Sequence, residues 1–287
     1  MQHATWSAIE SSAVAMGIYR FYRKLVPPSA RTLVRWLVMP RWNAAAALVR
    51  HRAANTVLTG PFKGMRLSLT PVSNRNLLGY LLGTQEAELH DVVRRVIARG
   101  YSRIINVGAA DGYYALGFLR AMPNTRVTAF ESAAEHHAGL MRTAAVNGVA
   151  ARFTLKGFCR PDDLAAELAG SEEPTLVLAD IEGGELDVLD PVRAPRLSDV
   201  DILVETHDAF VPDCTAKLKA RFSKSHSIEQ IVSQPRSLAD FPSAIIPELS
   251  KFMPRTAVEL MNERRTGVQI WLYLTAKRQP DVKRSQS

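Results

Sequence analysis

The chain has 287 residues, 47% of them hydrophobic, and a formal net charge of +8. That length and composition allow a substantial core in one or two domains, while no apolar run approaches the roughly 20 residues that span a bilayer, and no repeat or low-complexity tract interrupts the chain. Its two cysteines, Cys159 and Cys214, lack paired metal spacing and allow at most one disulfide, so a reducing, cytoplasmic setting is expected.

The basic charge is concentrated at the start. Residues 1–85 hold eleven Lys or Arg against one acid, Glu10, a net of +10, so everything after Gln85 sums to −2. Ile18, Tyr19, Phe21, Tyr22, Leu25 and Val26 interleave with Arg20, Arg23 and Lys24, and Leu33, Val34, Trp36, Leu37 and Val38 stand beside Arg31 and Arg35. The pattern predicts two short helices divided by Pro27 and Pro28. Three readings stay open for residues 15–52: packing over the substrate side of the domain with solvated arginines, peripheral contact with an anionic inner membrane surface, and contact with nucleic-acid phosphates. A secretory signal does not fit, because the basic-then-apolar order is missing and Arg20 interrupts the pattern. Residues 56–69 read as a β-hairpin turning at Gly60-Pro61 or Lys63-Gly64, which completes a basic helical and hairpin extension over residues 1–82.

Residues 83–277 alternate between helix and strand. Helices are expected near 86–99, 113–121, 133–147, 162–169 and 214–223. Strands are expected near 103–107, 126–131 and 152–158, in runs ending at Asp180 and Glu205, and near 227–233 and 268–276. Seven strands in this order predict an α/β, doubly wound, mostly parallel sheet with an antiparallel C-terminal strand. The polar tail, 278–287, is expected to fray.

The most informative stretch is I-I-N-V-G-A-A-D-G-Y-Y-A-L at 104–116, followed by R-V-T-A-F-E at 126–131. It reads as strand, tight glycine turn, helix, and a second strand ending in Glu131, about 20 residues beyond the loop, where a carboxylate can accept hydrogen bonds from ribose hydroxyls. A pyrophosphate binder would show G-x-G-x-x-G; here Gly108 and Gly112 bracket Ala109, Ala110 and Asp111. Asp111 near the helix start can cap backbone N–H groups and would repel a pyrophosphate. A cationic or zwitterionic adenosine ligand suits the loop better, and S-adenosyl-L-methionine is one. Asn106, Gly108, Ala109, Asp111, Gly112, Tyr113 and Glu131 are the residues expected around it.

Two further strand ends carry polar groups. T-L-V-L-A-D-I-E-G-G-E-L-D-V-L at 175–189 ends its strand in Asp180 and Glu182 before a double-glycine turn, and D-I-L-V-E-T-H-D at 201–208 carries Glu205, His207 and Asp208. In an open α/β sheet ligands bind beyond the carboxyl ends of the strands, so all of these groups would meet at one rim.

These motifs resemble the FkbM-type methyltransferases, within the class I S-adenosylmethionine-dependent fold. The resemblance rests on V-G-A-x-x-G-Y-Y at 107–114, A-F-E at 129–131, D-I-E-G-G-E at 180–185 and V-E-T-H-D at 204–208, and extends to G-T-Q-E-A-E-L at 83–89. It implies a Rossmann-like methyltransferase domain acting on a small-molecule or glycan-like acceptor. Such proteins commonly carry Asp where Asn106 stands, and a Lys two positions before the strand-end Asp, where this chain has Leu178, so a role tied to that lysine does not transfer. An RNA or protein methyltransferase, and a non-catalytic nucleotide-binding or membrane-associated scaffold, are the alternatives.

Methyl transfer to a hydroxyl needs aligned reactants and removal of a proton. His207 is the expected base, since its ordinary pKa lies near neutrality, with Asp180 and Glu205 beside it. Two positions apart on a strand, Glu205 and His207 project to one side and Asp208 to the other. Asp180, Glu182, Glu205 and His207 also suit a divalent ion such as Mg2+ or Mn2+. Glu185 reads as a first-turn helix acid favoured by the dipole, and Asp180 alternatively as a cap of the Gly183-Gly184 turn. Phe158 and Cys159, after the third strand, fall where the fold often holds adenine. Trp271 reads as core within a cluster of Glu263, Arg264 and Gln269 about Gly267. His136 and His137 are expected to be exposed, and His90 and His226 to lack partners.

Overall fold

Strands whose residues are apolar on both faces must be covered on both faces, and here they pair in parallel between helices. The computed structural model describes residues 39–68, 77–170, 172–263, 265 and 267–277; the two helices expected before residue 39, Arg264 and the tail lie outside them. The strands are β1 (Arg103–Val107), β2 (Arg126–Phe130), β3 (Phe153–Lys156), β4 (Thr175–Ala179), β5 (Asp201–Thr206), β6 (His226–Val232) and β7 (Ile270–Ala276). They form one sheet in the order β3-β2-β1-β4-β5-β7-β6, with β7 antiparallel to both β5 and β6. This is the seven-stranded, doubly wound and mostly parallel sheet that the strand pattern predicts.

Ten helices are described: α1 (Pro40–Ala53), α2 (Leu77–Leu82), α3 (His90–Arg99), α4 (Tyr113–Ala121), α5 (Ala134–Val146), α6 (Pro161–Leu168), α7 (Glu185–Val188), α8 (Cys214–Phe222), α9 (Pro247–Phe252) and α10 (Pro254–Leu260). One face of the sheet, with Ile105, Val107, Val177, Ala179, Ile202 and Val204, packs on Leu164 and Leu168 of α6 and Leu218 and Phe222 of α8. By strand alternation Asn106, Leu178 and Leu203 belong to the opposite face; Glu205 shares it near the end of β5, and Asp180 and His207 continue these lines just beyond the ends of β4 and β5.

The helix expected at 86–99 is two elements. A single 3-10 turn at Ala87–Leu89 precedes α3, and Glu86, ahead of that turn, sits in the left-handed region at φ 47°. The hairpin is reduced to one bridge, Thr56 with Arg66. Its loop places Phe62 edge-on to Tyr113 and Phe118 of α4, and a Cβ at Gly117 would stand 2.6 Å from the Phe62 ring, so glycine there admits the loop. The compact unit that carries the sheet takes in the described residues from Val49 onward.

Candidate active site

The strand order reverses between β1 and β4, where the two chains leave the sheet on opposite sides and open a crevice at their carboxyl ends. Gly108 lies at this point with φ +82°, and a Cβ there would meet Asp180 O at 1.8 Å, so only glycine lets the two strand ends close. Gly112 follows at φ +81° and starts α4. Ala110, at φ 44°, bends the loop back so that its N–H donates to Glu131 Oε2 at 2.7 Å; Ala133 N–H donates to Oε1 of the same carboxylate at 2.7 Å. Glu131 is thereby fixed one residue past β2, with lone pairs left on both oxygens.

A cavity of about 160 Å3 opens beside this loop, lined by Tyr80, Gln85, Glu86, Asn106, Gly108–Ala110, Tyr113, Tyr114, Leu178, Asp180 and Glu182. Asn106 Nδ2, Tyr113 OH and Gln85 Oε1 are buried and have no hydrogen-bond partner among the described residues. Buried polar atoms in native proteins are nearly always paired, so three around one cavity fit a polar ligand. The Tyr113 ring is held by stacking on Tyr80, with centroids 4.7 Å apart. A broader groove of about 440 Å3 between α6 and residues 193–196 is mostly apolar and distant from the strand ends.

On the β4 and β5 side, Asp180, Glu205 and His207 bring ligand-type atoms within 4.8 Å of one another. His207 Nδ1 stands 2.6 Å from Glu185 Oε1, and its Nε2 stands 3.6 Å from Asp180 Oδ1. Burial alone would raise the Glu185 carboxyl, but hydrogen bonds from His207 and the Gly183 N–H hold it below its ordinary value. An ionised carboxylate only accepts, so Nδ1 carries the proton and Nε2 faces the cavity side. Burial works to lower the His207 pKa and is outweighed by Glu185 and Asp180, which raise it. Burial, followed by the Asp180 and Glu86 carboxylates, drives Glu205 strongly upward; Glu205 is therefore the protonated partner that donates to Asp180.

Glu86 forms the opposite wall. Its carboxyl accepts from Tyr114 OH and from Arg265 Nη2, and its N–H donates to Glu263 Oε1 at 2.8 Å. Burial raises its pKa, with Arg265 opposing. Behind it, Arg236 bridges Glu88 at 2.6 Å and Glu263 at 2.7 Å.

Several sequence expectations change. The Asp111 carboxylate lies 3.1 Å from His136 Nδ1, and Gly112, the residue that starts the helix, provides no side-chain cap. His136 and His137 are half-buried, and His137 Nε2 donates to Glu131 O at 2.7 Å. Glu182 touches the cavity but is exposed and stands outside the Asp180–Glu205–His207 group. Glu185 is more than a helix-start acid, being fully buried beneath His207. Asp180 does not cap the glycine turn, whose Gly183 N–H donates to Glu185 instead. β3 ends at Lys156, two residues short of the expected end; in the loop after it Phe158 is exposed and Cys159 packs in the core with Leu164. Asp208 turns away, as alternation requires, and accepts from Thr215 in the first turn of α8. His226 has partners in Val200 O and Ser225 Oγ, whereas His90 Nε2 has none among the described residues. Trp271 is fully buried and Glu263 joins the ion network. Both cysteines are free.

Sequence reasoning missed Gln85, Glu86 and the role of Glu185. The left-handed backbone at Glu86 and the burial of Glu185 leave no mark in composition or periodicity.

No protein-family model and no curated protein matches the chain. Among solved structures it is similar to the O-methyltransferase TomG of Streptomyces achromogenes in complex with S-adenosylmethionine, at 14% identity over 90% of this chain and 95% of that one, TM-score 0.42. It is also similar to an O-methyltransferase of Bacillus cereus in complex with S-adenosylhomocysteine, at 13% identity over 90% and 97%, TM-score 0.42. A third is cofactor-bound Rv0187 from MTB, at 18% identity over 72% and 90%, TM-score 0.37. The seven-strand order rests on its own hydrogen-bonded register, independent of these likenesses.

Proposed function

We propose that the chain is an S-adenosylmethionine-dependent methyltransferase that methylates a hydroxyl of a small-molecule or glycan-like acceptor. The observation that carries this reading is the meeting, at one strand-order reversal, of a glycine loop tied to Glu131 and a histidine held by a buried carboxylate. The donor fits the residues present: Gly108 leaves the strand end bare of a Cβ, and Asn106 Nδ2 and Tyr113 OH await polar partners. Glu131 would hold the ribose hydroxyls through its remaining lone pairs. When bound, the donor supplies a methyl group on a sulfonium, which needs no further activation.

The protein's own work is then deprotonation and alignment. His207 Nε2 takes the acceptor proton, and Glu185 stabilises the imidazolium while fixing the tautomer. The proton shared by Glu205 and Asp180 keeps that pair to a single negative charge beside the base. Phe210, exposed and 5.8 Å from the His207 ring, offers the acceptor an apolar face. Within the fold we read the chain as FkbM-type on the motifs at 107–114, 129–131, 180–185 and 204–208.

A second reading has one observation in its favour. Asp180, Glu205 and His207 suit Mg2+ or Mn2+, and His207 already gives its other nitrogen to a carboxylate, as metal-bound histidines do. We read the compartment as cytoplasmic, since both cysteines are free and no described helix is long and apolar enough to cross a membrane. For residues 15–52 the basic and aromatic pattern supports packing over the substrate side of the domain first, peripheral contact with an anionic membrane surface second and nucleic acid last.

Label transfer from methyl-labelled donor to a panel of polyols, sugars and phenols tests the reaction. Labelled ethers formed by the wild type and lost in His207→Ala support it; labelling confined to amines, or equal in the variant, contradicts it. Repeating the assay after chelation separates the two readings, since a metal-dependent enzyme stops and recovers with Mg2+ or Mn2+.

A further inference from the structure

We propose that Thr215, in the first turn of α8, is the positioning residue for His207, an inference that rests on reading His207 as the base. β5 ends at Thr206, which pairs with Ile270 at the very start of β7, and β4 pairs with β5 only as far as Val204. His207 therefore stands one residue beyond both ladders, where no strand register fixes its backbone. Its aim depends on what holds the residues on either side.

Thr215 holds both. Its Oγ1 lies 2.6 Å from Thr206 Oγ1, and its hydroxyl donates to Asp208 Oδ2. The Asp208 carboxylate only accepts, so donation runs from Thr206 to Thr215 to Asp208, with Ile270 O a second acceptor for Thr206 at 3.1 Å. Thr215 N–H donates to the other Asp208 oxygen at 3.2 Å. Asp213, ahead of α8, is left-handed at φ 62° and supplies no side-chain cap; Asp208 takes up that N–H of the first turn instead.

Alternation gives the consequence. Thr206 and Asp208 continue the line of Ile202 and Val204, the face that packs on Leu218 and Phe222 of α8, and His207 belongs to the line between them. Pinning both neighbours to one hydroxyl fixes the peptide units on either side of His207, and with them the direction of its Cα–Cβ bond. Its carbonyl is held as well, accepting from the N–H groups of Phe210 and Val211 at 3.0 and 2.9 Å. The same helical turn reaches the partner of the base, since Cys214 Sγ stands 3.9 Å from Glu185 Oε2. Thr215 is not among the residues that line the cavity, so its effect on the reaction passes through His207. A misplacement of about 1 Å suffices to lose most of the benefit of alignment.

The experiment compares Thr215→Val, which keeps the shape and removes the hydroxyl, with Thr215→Ser, which keeps the hydroxyl, in the full chain. Two quantities are read: methyl-transfer turnover, and the proton NMR signal of His207 Nδ1–H, which a 2.6 Å bond to a carboxylate moves downfield and which is assigned by its loss in His207→Ala. Thr215→Val is expected to shift or abolish that signal and to lower kcat about tenfold or more, with S-adenosylhomocysteine affinity within about twofold of the wild type. Thr215→Ser is expected to restore the signal and most of the turnover. No such signal in the wild type, an unmoved signal in Thr215→Val, equal impairment of Thr215→Ser, or a matching loss of S-adenosylhomocysteine affinity overturns the proposal. Should Thr215→Val not fold, Asp208→Ala, at an exposed position, is the second variant and is expected to move the signal and lower turnover in the same way; an unmoved signal there overturns the proposal equally. A wild type that shows the signal but transfers no methyl group overturns the methyltransferase reading itself, a distinct result, and the signal still decides whether Thr215 holds His207.

Discussion

Glu185 Oε1 lies 2.6 Å from His207 Nδ1, and Glu185 is fully buried at the first position of α7. The carboxylate both selects the tautomer that presents Nε2 and holds the imidazole pKa above its ordinary value against burial. The separation in sequence, from the end of the β4 loop to the end of β5, is closed by the parallel pairing of those two strands.

Glu185→Gln keeps the side-chain shape but removes the charge. Turnover should fall about 10- to 100-fold with little change in donor affinity. Because His207 must be deprotonated to act and Glu185 raises its pKa, the acid limb of the rate profile should move to lower pH while the plateau drops. An unmoved limb in a pH series of kcat/KM would remove Glu185 from this role.

Gly108→Ala should abolish S-adenosylhomocysteine binding and destabilise the fold by about 3 kcal/mol or more, since its Cβ would meet the Asp180 carbonyl and φ is +82°. Gly170→Ala is the control: it shares a positive φ, at +70°, but has nothing within 4 Å of its Cβ, so only the modest backbone cost remains. Urea unfolding of both variants compares the two.

His90 gives a stability window. Burial, aided by Arg94, lowers its pKa from 6.5 to about 4 in the folded chain. Between those values the unfolded chain binds more protons than the folded one, so the contribution is present above pH 6.5 and is lost as pH falls towards 4. His90→Phe should flatten this part of the stability-pH curve, read from urea midpoints at pH 4.5, 5.5 and 7; an unchanged slope would count against it.

Arg236 is nine-tenths buried between Glu88 and Glu263. Arg236→Met leaves two buried carboxylates with Arg265 alone, and should cost about 3–5 kcal/mol. Changing an exposed pair such as Arg94 with Asp91 should cost under about 1 kcal/mol. Parallel denaturant titrations decide between network and ornament.

The sheet was legible because its strands are short apolar runs set off by turns: β1 and β4 fall where the pattern puts them, and the strand-end positions of Asp180, Glu205 and His207 follow from alternation alone. Helix α1 was not legible, as its stripe of alanines carries little amphipathic contrast. Residues 243–262 hid α9 and α10, each starting on a proline that reads locally as a break. The third strand was legible less sharply, since β3 stops at Lys156, two residues short of the expected end, which leaves Phe158 and Cys159 in the loop that follows. Glu86 and Glu185 depend on tertiary closure, and no local pattern distinguishes a buried carboxylate from a solvated one.

The most direct measurement is calorimetric titration of the purified chain with S-adenosylhomocysteine, with NAD+ as control ligand and Glu131→Ala as a second protein. Micromolar binding by the wild type, its loss in Glu131→Ala and no heat with NAD+ are the expected results. Failure of the wild type to bind S-adenosylhomocysteine, or binding of NAD+ in its place, would contradict the methyltransferase assignment and turn the same crevice toward dinucleotide chemistry.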